Sequence, residues 1–398
     1  MARKRKIHRG KVKRNRPKGF GRRRKKSRAG AVIFVLVIIA LVIGAYCAAG
    51  PLMNLLSGSN PEDGASSQLS SAPAEGTSSR EGTSSQNASS NTAAETSGRV
   101  KTMPAGNLTD LNKVKSFAVE AKQEGYTAVS VELKNSEGGL LYNSASQRAK
   151  KYGAVKNKNV SLSEVAKTIQ DAGLAPVAKL HMFKDKTAAN REYDNTFKIK
   201  GENSTWWDNS PSKGGKPWLN PYKDEAVNYL LEIIGETMDA GFSQVVLDSV
   251  QFPDVRNTSI IEFPSGANKD THQQKLAEFI EKAQNLAAEK KCSVTVAYNT
   301  LSILGKKDNI YFGNPLKLNA KSISPIIQIS QFGNTLDFGG KKVEAPKEHP
   351  AQAVTALIEG IRAQAPDAQI IPILSSDAKT DEIRNALTQA GIKEIVEQ

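Results

Sequence analysis

Residues 244–250 read Gln-Val-Val-Leu-Asp-Ser-Val, a short apolar run interrupted by one acidic residue. Its length and its β-branched residues are typical of a buried strand. The preceding residues 222–240 have the apolar spacing of an amphipathic helix, and Gly241 follows at the position that favours a left-handed helix cap. A helix followed at once by a buried strand is the repeating unit of parallel α/β folds.

The same unit recurs along residues 99–398, where strand-like runs alternate with longer helix-like runs. Strict alternation favours parallel strands joined by right-handed crossovers. Eight strands in 300 residues predict a closed (β/α)8 TIM barrel, with an open doubly wound sheet as the alternative. The predicted strands are Val100–Met103, Ala128–Lys134, Leu174–Met182, Gln244–Val250, Ser293–Asn299, Ile323–Ser330, Gln369–Ser375 and Glu394–Gln398. The predicted helices cover residues 109–124, 161–172, 222–240, 271–290, 307–319, 349–364 and 379–390.

The positive charge of the chain is confined to its beginning. The chain has 55 Lys and Arg against 40 Asp and Glu, and residues 1–28 hold 16 of these cations and no acidic residue. A nucleic-acid-binding fold needs clustered cations on its folded surface, which the nearly neutral remainder does not offer. We therefore expect the basic tail to contact anionic lipid headgroups, with cytoplasmic nucleic acid as the alternative.

Residues 29–49 form an apolar run of 21 residues without a charged side chain. About 20 such residues are enough to cross a bilayer as a helix, and the cations before the run place the amino terminus in the cytoplasm. The sequence thus predicts a single-pass signal anchor in the cell membrane, with a cleaved signal peptide as the alternative. Residues 50–98, rich in Ser, Thr, Ala and Gly, predict a disordered linker that leads to an extracytoplasmic barrel at residues 99–398.

Polar residues are predicted inside the barrel. Alternate residues of a barrel strand face the lumen or the helices, and the helix-facing set should be apolar. Active sites of TIM barrels lie at the carboxyl ends of the strands. For each polar residue the alternative is a buried ion pair that fills a barrel layer. The rule turns seven polar side chains inward near these ends: Glu132, Lys134, Lys179, His181, Asp248, Gln328 and Ser330.

Asp248 is the leading candidate for a functional residue. It ends the apolar run Val-Val-Leu-Asp, where an ionised carboxylate would lose its hydration. A buried carboxylate needs a partner or a substrate to offset that cost.

Four motifs occur in a recognisable order: VELKNSEG at 131–138, AKLHMFKD at 178–185, WLNPY at 218–222 and LDSVQFP at 247–253. Together they resemble the bacterial family described as "putative glycosyl hydrolase domain", which is distantly related to the α-amylase clan. The resemblance covers residues 100–398. It implies a TIM barrel, often carried behind a membrane anchor, that cleaves O-glycosidic bonds of a polysaccharide.

The resemblance also implies roles for individual residues. Asp248 matches the aspartate at the end of the family's fourth strand, which would be the nucleophile or a stabiliser of the transition state. Glu132 takes the place of a carboxylate in the second strand, and Lys134 and Asp185 match further family positions.

Other positions depart from the family pattern. Gln251 stands where the family has an arginine, and the fifth strand, which ends at Asn299, lacks the usual carboxylate. Residues 325–330 and 371–376 also differ from the expected signatures. The resemblance therefore implies a partly eroded active site.

Glycoside hydrolysis generally needs a second carboxyl group that donates a proton to the leaving oxygen. The candidates for this acid are Glu132, Asp185 and Asp254. Strand alternation favours Glu132, although the neighbouring Lys134 would lower its pKa and oppose an acid role. His181 is an alternative proton donor.

All three tryptophans of the chain lie in one polar loop after the third strand. Exposed tryptophans at a barrel mouth are suited to stacking on sugar rings, so Trp206 and Trp207 are predicted to contact the substrate. The alternative is that they cover the top of the barrel. The remaining candidates for substrate contact are Lys134, Lys179, His181, Asp185, Gln251, Asn299 and Gln328.

The sequence contains no HExxH, CxxC, Walker or GxGxxG context, so we predict neither a metal site nor a cofactor. The favoured function is a membrane-anchored glycoside hydrolase of an envelope or environmental polysaccharide, with Asp248 and Glu132 as catalytic carboxylates. A glycan-binding pseudoenzyme without activity and an envelope scaffold that docks a protein partner are the alternatives.

Overall fold

The computed structural model describes residues 98–254, 259–307 and 309–398 of the chain. The predicted basic tail (1–28), the predicted membrane span (29–49) and all but the last residue of the predicted linker (50–98) lie outside the described residues. Within the described ranges, no helix is both long enough and apolar enough to span a membrane.

Among these residues, eight parallel strands form a closed ring. They are β1 (Gly98–Met103), β2 (Ala128–Lys134), β3 (Ala175–His181), β4 (Gln244–Asp248), β5 (Ser293–Asn299), β6 (Ser322–Ile327), β7 (Gln369–Ile370 and Ile373–Leu374) and β8 (Glu394–Glu397). Strand β8 pairs with both β7 and β1, so that Gly98 lies opposite Glu394. Because the last strand meets the first, the predicted TIM barrel is confirmed and the open sheet is excluded.

Six longer helices follow the strands around the ring. They are α1 (Leu111–Gln123), α2 (Leu162–Asp171), α3 (Asp224–Asp239), α4 (Lys269–Glu289), α5 (Pro350–Gln364) and α6 (Asp381–Gln389). The loops also contain three short α-helices, Gln147–Tyr152, Lys186–Ala189 and Thr300–Ile303. The 3₁₀ turns are Ala105–Thr109, Tyr193–Asn195, Pro211–Lys213, Pro315–Lys317, Ile329–Gln331 and Ser376–Ala378.

Two small antiparallel strand pairs lie in the loops outside the eight-stranded ring. Lys198–Ile199 pairs with Ile261–Glu262, and Thr335–Phe338 pairs with Lys341–Glu344. The first pair therefore connects the long loop after β3 to the loop after β4.

The predicted helix at 307–319 is wrong. After β5 the chain forms only the short helix Thr300–Ile303 and the 3₁₀ turn Pro315–Lys317. Pro315 disfavours helical geometry in the residue before it, and Phe312 adopts a positive φ of 54°. At the start of the helix Leu162–Asp171, the Ser161 hydroxyl lies 2.9 Å from Ser163 Oγ and does not cap a backbone amide.

The core has two layers that follow the alternation along the strands. Apolar residues such as Val131, Leu180 and Leu247 are fully buried between the strands and the helices. A second apolar set, which includes Val177, fills the lumen. Glu132, His181 and Asp248 follow these apolar residues at the carboxyl ends, whereas the uncharged Gln244 and Thr295 are buried nearer the amino ends. The lumenal cluster comprises Val100, Ala128, Val177, Val246, Ala297, Ile371, Ile373 and Val396.

One buried carboxylate links the last strand of the barrel to the first. The side chain of Glu397 in β8 is only 4% exposed and lies 2.9 Å from Arg99 Nε in β1 and 3.0 Å from Arg384 Nε in α6. Tyr126, before β2, donates a further hydrogen bond to it at 2.9 Å. Burial raises the pKa of Glu397, but the hydrogen bonds from these three donors outweigh it and lower the pKa to about 2.

We expect Glu397→Gln to lower the free energy of unfolding by about 2–3 kcal/mol at pH 7, because the ionised carboxylate is stabilised only in the folded barrel. This contribution is fully present above the unfolded-state pKa and is lost as the pH falls toward 2. The difference between wild type and variant in urea denaturation should therefore shrink between about pH 4.5 and pH 2.

Glu120→Gln is the matched control, since Glu120 also pairs with a cation of β1, Lys101, but is 61% exposed. It should change stability little. An equal loss in both variants would contradict a special role for Glu397.

Candidate active site

The carboxyl ends of β2, β3 and β4 bring Glu132, His181 and Asp248 together, as strand alternation predicts. His181 lies directly opposite Asp248 in the sheet. The distance from His181 Nε2 to Glu132 Oε1 is 3.3 Å, and from His181 Nδ1 to Asp248 Oδ1 it is 3.5 Å. The imidazole ring therefore stands between two carboxylates, with Asp248 on one side and Glu132 on the other.

Asp248 is held in its ionised form. Its side chain is 16% exposed, and Lys179 Nζ lies 3.2 Å from its Oδ2. Burial raises the pKa of Asp248, but the charges of His181 and Lys179 and a hydrogen bond from Ser249 together bring it below its ordinary value. Asp248 is thus suited to act as a nucleophile, a base or an electrostatic stabiliser, and not as a proton donor.

Ser249 adopts a conformation that is unusual for a residue with a side chain. Its φ of 58° lies in the left-handed region, which costs about 1 kcal/mol or more for a residue other than glycine. This conformation ends β4, and the buried hydroxyl lies 3.0 Å from Asp248 Oδ1 and 3.1 Å from His181 Nδ1. Ser249 therefore orients both groups.

Glu132 is poorly placed to be the acid that the sequence favoured. The hydrogen bond to His181 lowers the pKa of Glu132 despite its partial burial. The ring of His181 also fills the space between Glu132 and Asp248, where a glycosidic bond would have to lie. Glu132 consequently contacts the site through His181.

An open cleft of about 560 Å³ lies above this cluster. Its walls come from the loops that follow β3, β4 and β5, and Asp248 and Ser249 lie at its floor. The lining residues are His181, Lys184, Asp208, Asn209, Lys213, Gly214, Lys216, Trp218, Asp248, Ser249, Gln251, Asp254, Ala297, Asn299, Lys307, Tyr311 and Ile326.

Lys134 and Asp185, predicted to contact substrate, are instead paired with each other in the interior. Both side chains are 0% exposed, and Lys134 Nζ lies 2.8 Å from Asp185 Oδ2. A register shift in β2 between Glu132 and Lys134 accounts for the difference, because it breaks the alternation at this point. Lys134 also donates to the carbonyl of His181 at 2.7 Å, so the pair positions the end of β3 from behind.

Of the other polar residues predicted to contact substrate, Gln251 and Asn299 line the cleft and Gln328 does not. The side-chain oxygen of Asn299 accepts a hydrogen bond from the backbone of Leu301, which leaves its amide nitrogen as the group available to a ligand. Strand β6 ends at Ile327, one residue before Gln328, and Ile326 lines the cleft instead.

The tryptophans do not form the predicted stacking platform. Trp206 is 3% exposed and packs edge-on against Phe197 at 6.2 Å, so it belongs to the core. Trp207 is 37% exposed but does not line the cleft. Trp218 lines the cleft with only 4% of its surface exposed, and its Nε1 donates to Asp208 at 2.9 Å.

Sequence reasoning missed several lining residues because they lie in loops. Asp208, Lys184, Lys213 and Lys216 all belong to the loop after β3, and strand alternation says nothing about loop residues. The density of Gly, Ser and Lys around the tryptophans in this loop was the available signal.

Metal-binding geometry is absent from the part of the chain that the structure describes. No group of three or more His, Cys, Asp or Glu side chains there is arranged to hold an ion. In the central cluster, both ring nitrogens of His181 already contact protein groups.

Comparison with known proteins agrees with the fold and identifies the family of the chain. Residues 103–398 match the model of the family described as "Putative glycosyl hydrolase domain". The glycoside hydrolase domain of PgaB (BpsB) from Bordetella bronchiseptica aligns over 76% of this chain and 93% of its own, with a TM-score of 0.51 and 13% identity. A hypothetical protein from Ruminiclostridium thermocellum aligns over 46% of this chain and 90% of its own, with a TM-score of 0.41 and 24% identity. No curated protein matches the chain.

We expect Lys134→Met to destabilise the barrel by about 3–5 kcal/mol, because it leaves the charge of Asp185 buried without a cation. The double variant Lys134→Met/Asp185→Asn removes both charges and should regain a large part of that loss. Thermal and urea denaturation of the two variants measure this difference.

The ligand affinity of the double variant distinguishes a structural role of the Lys134–Asp185 pair from a role in substrate binding. If Lys134 and Asp185 only position β3, the refolded double variant should keep its affinity for a ligand of the cleft. Equal destabilisation of single and double variants would contradict the pairing.

Proposed function

The chain belongs to the "Putative glycosyl hydrolase domain" family, and from this premise we propose that it cleaves O-glycosidic bonds of a polysaccharide in the cleft above the barrel. One observation supports this most directly: Asp248, kept ionised by Lys179 and His181, lies on the floor of an open cleft at the carboxyl ends of the strands. Active sites of TIM barrels occur at this face. Asp248 is then the carboxylate that attacks or stabilises the developing positive charge on the sugar ring.

The proton donor is best assigned to Asp254. Asp185 is excluded by its complete burial, and Glu132 lies behind His181. Of the two other cleft aspartates, Asp208 accepts N–H bonds from the Lys216 backbone and the buried Trp218 ring. Asp254 is 51% exposed, and its ion pair with Lys307 favours the ionised carboxylate, so Lys307 must move away before Asp254 can hold the proton.

Glycan binding without hydrolysis is the second candidate function, and one observation favours it. Both oxygens of Asp248 already have partners, Oδ1 with Ser249 and His181 and Oδ2 with Lys179. An attacking oxygen must first leave such a contact. If Asp248 cannot attack, the domain would bind its glycan in the cleft and release it unchanged.

We further propose that the barrel is extracytoplasmic, tethered to the membrane through residues 29–49, and acts on an envelope or environmental polysaccharide. The support is the uncharged apolar run that follows 16 cations in residues 1–28. These cations also provide a surface for anionic lipid headgroups.

Asp248→Asn should abolish hydrolysis, with a loss in kcat of about 10²–10⁴-fold or more, while glycan affinity changes little. The measurement is release of reducing ends from a panel of polysaccharides by the full-length chain.

Asp254→Asn should lower kcat by the same order if Asp254 is the proton donor. The loss should be smaller for substrates with good leaving groups, which need less help from an acid.

Asp367→Asn is the control, since this exposed aspartate precedes β7 at the opposite end of the barrel. Glycan binding without Asp248-dependent turnover would favour the binding protein over the hydrolase. Neither binding nor turnover would favour the scaffold for a protein partner.

The membrane proposal predicts opposite accessibility of the two ends of the chain. In intact cells, a protease that cannot cross the membrane should remove an epitope placed after Gln398 and spare one placed before residue 28. Loss of the amino-terminal epitope during maturation would instead indicate a cleaved signal peptide, and protection of both epitopes would contradict an external barrel.

A further inference from the structure

We infer that the cleft binds an anionic glycan, one that carries carboxylate, sulfate or phosphate groups along its chain. This inference rests on the proposed function, because it names the substrate class of the same site. Its basis is an excess of cations on one wall of the cleft together with the lack of an exposed aromatic ring on that wall.

The wall formed by the loop after β3 contains more cations than anions. Lys184, Lys213 and Lys216 from this loop line the cleft. Lys216 pairs with Glu137, and the same carboxylate also contacts Lys186 from this loop. One carboxylate therefore serves two lysines, which leaves a net positive charge at that contact.

Two of the lining lysines have no carboxylate partner among the residues that the structure describes. Lys213 is exposed and forms no ion pair there, and Lys184 contacts only the Trp218 ring, with its Nζ 5.9 Å from the ring centroid. The one nearby acid on this wall, Asp208, uses its oxygens to accept N–H bonds from Lys216 and Trp218. Lys184 and Lys213 are thus free to meet an anion of the ligand.

Stacking offers little alternative recognition in this cleft. Its two aromatic lining residues, Trp218 and Tyr311, are 4% and 1% exposed. A neutral sugar ring would have hardly any aromatic face to stack on. An anionic sugar of the glycan could instead contact the ammonium groups of Lys184 and Lys213, which have no carboxylate partner among the described residues. The charge of these lysines is therefore available for recognition on this wall, and Asp248 remains on the floor for the reacting sugar.

The test is a titration of tryptophan fluorescence in the full-length chain. All three tryptophans lie between residues 206 and 218, so the signal reports the cleft loop and not the basic tail at 1–28. The probes are tetragalacturonate, a sulfated tetrasaccharide and a glycerol-phosphate oligomer, compared with neutral cellotetraose and cationic chitosan tetramer. The three anionic probes distinguish a carboxylate, a sulfate and a phosphate as the recognised group.

We expect at least one anionic probe to bind about tenfold more tightly than cellotetraose at low salt and to lose this advantage as ionic strength rises. Lys184→Gln/Lys213→Gln should remove about tenfold in affinity for that probe and leave the affinity for cellotetraose unchanged. Lys115→Gln, which changes an exposed lysine of α1 far from the cleft wall, should leave both unchanged.

Other outcomes separate this inference from the function on which it rests. Equal or tighter binding of the neutral or cationic probe would overturn the anionic preference and leave the glycan-binding function intact. An anionic preference that survives in the double lysine variant would overturn the role of this wall. No fluorescence response to any of the five probes would overturn both proposals.

Discussion

The alternation of side chains along eight strands that close on themselves is the constraint on which this structure depends. In a closed parallel ring every strand is buried on both faces, so each residue must fit either the lumen or the layer of helices. Apolar residues such as Val177 and Val246 fill the lumen below the carboxyl ends of the strands. The inward ionisable residues of β2, β3 and β4 follow these apolar residues in their strands and so lie at the carboxyl ends, where solvent reaches them. The same packing rule that stabilises the barrel thus concentrates Glu132, His181 and Asp248 at one site.

This rule also explains which parts of the site could be predicted from the sequence. It placed His181 and Asp248 correctly, because β3 and β4 are regular up to those residues. It failed for Lys134, because a register shift in β2 turns that side chain away from the cleft to Asp185. A single irregular residue is invisible in an apolar–polar pattern, since the pattern itself assumes regular pairing.

Loops were predictable in composition but not in geometry. The tryptophans at 206 and 207 occur in a polar segment, which suggested exposure, yet Trp206 packs into the core against Phe197. The helix expected at 307–319 failed for a local reason, the proline at 315. The lysines that line the cleft were not singled out, because a lysine in a loop is normally a solvated residue and only the fold brings several onto one wall.

The contact between Glu397 and Arg99 has a consequence for how the chain folds. These residues are 298 positions apart, and strand β8 must pair with β1 before the ring is complete. Until then β1 presents one unpaired edge, which invites association with other chains. The many long-range contacts of this topology also make folding slow compared with helical proteins. A chain that is still being synthesised can pair its first seven strands, but the ring closes, and Glu397 reaches Arg99, only after residues 394–397 have been made.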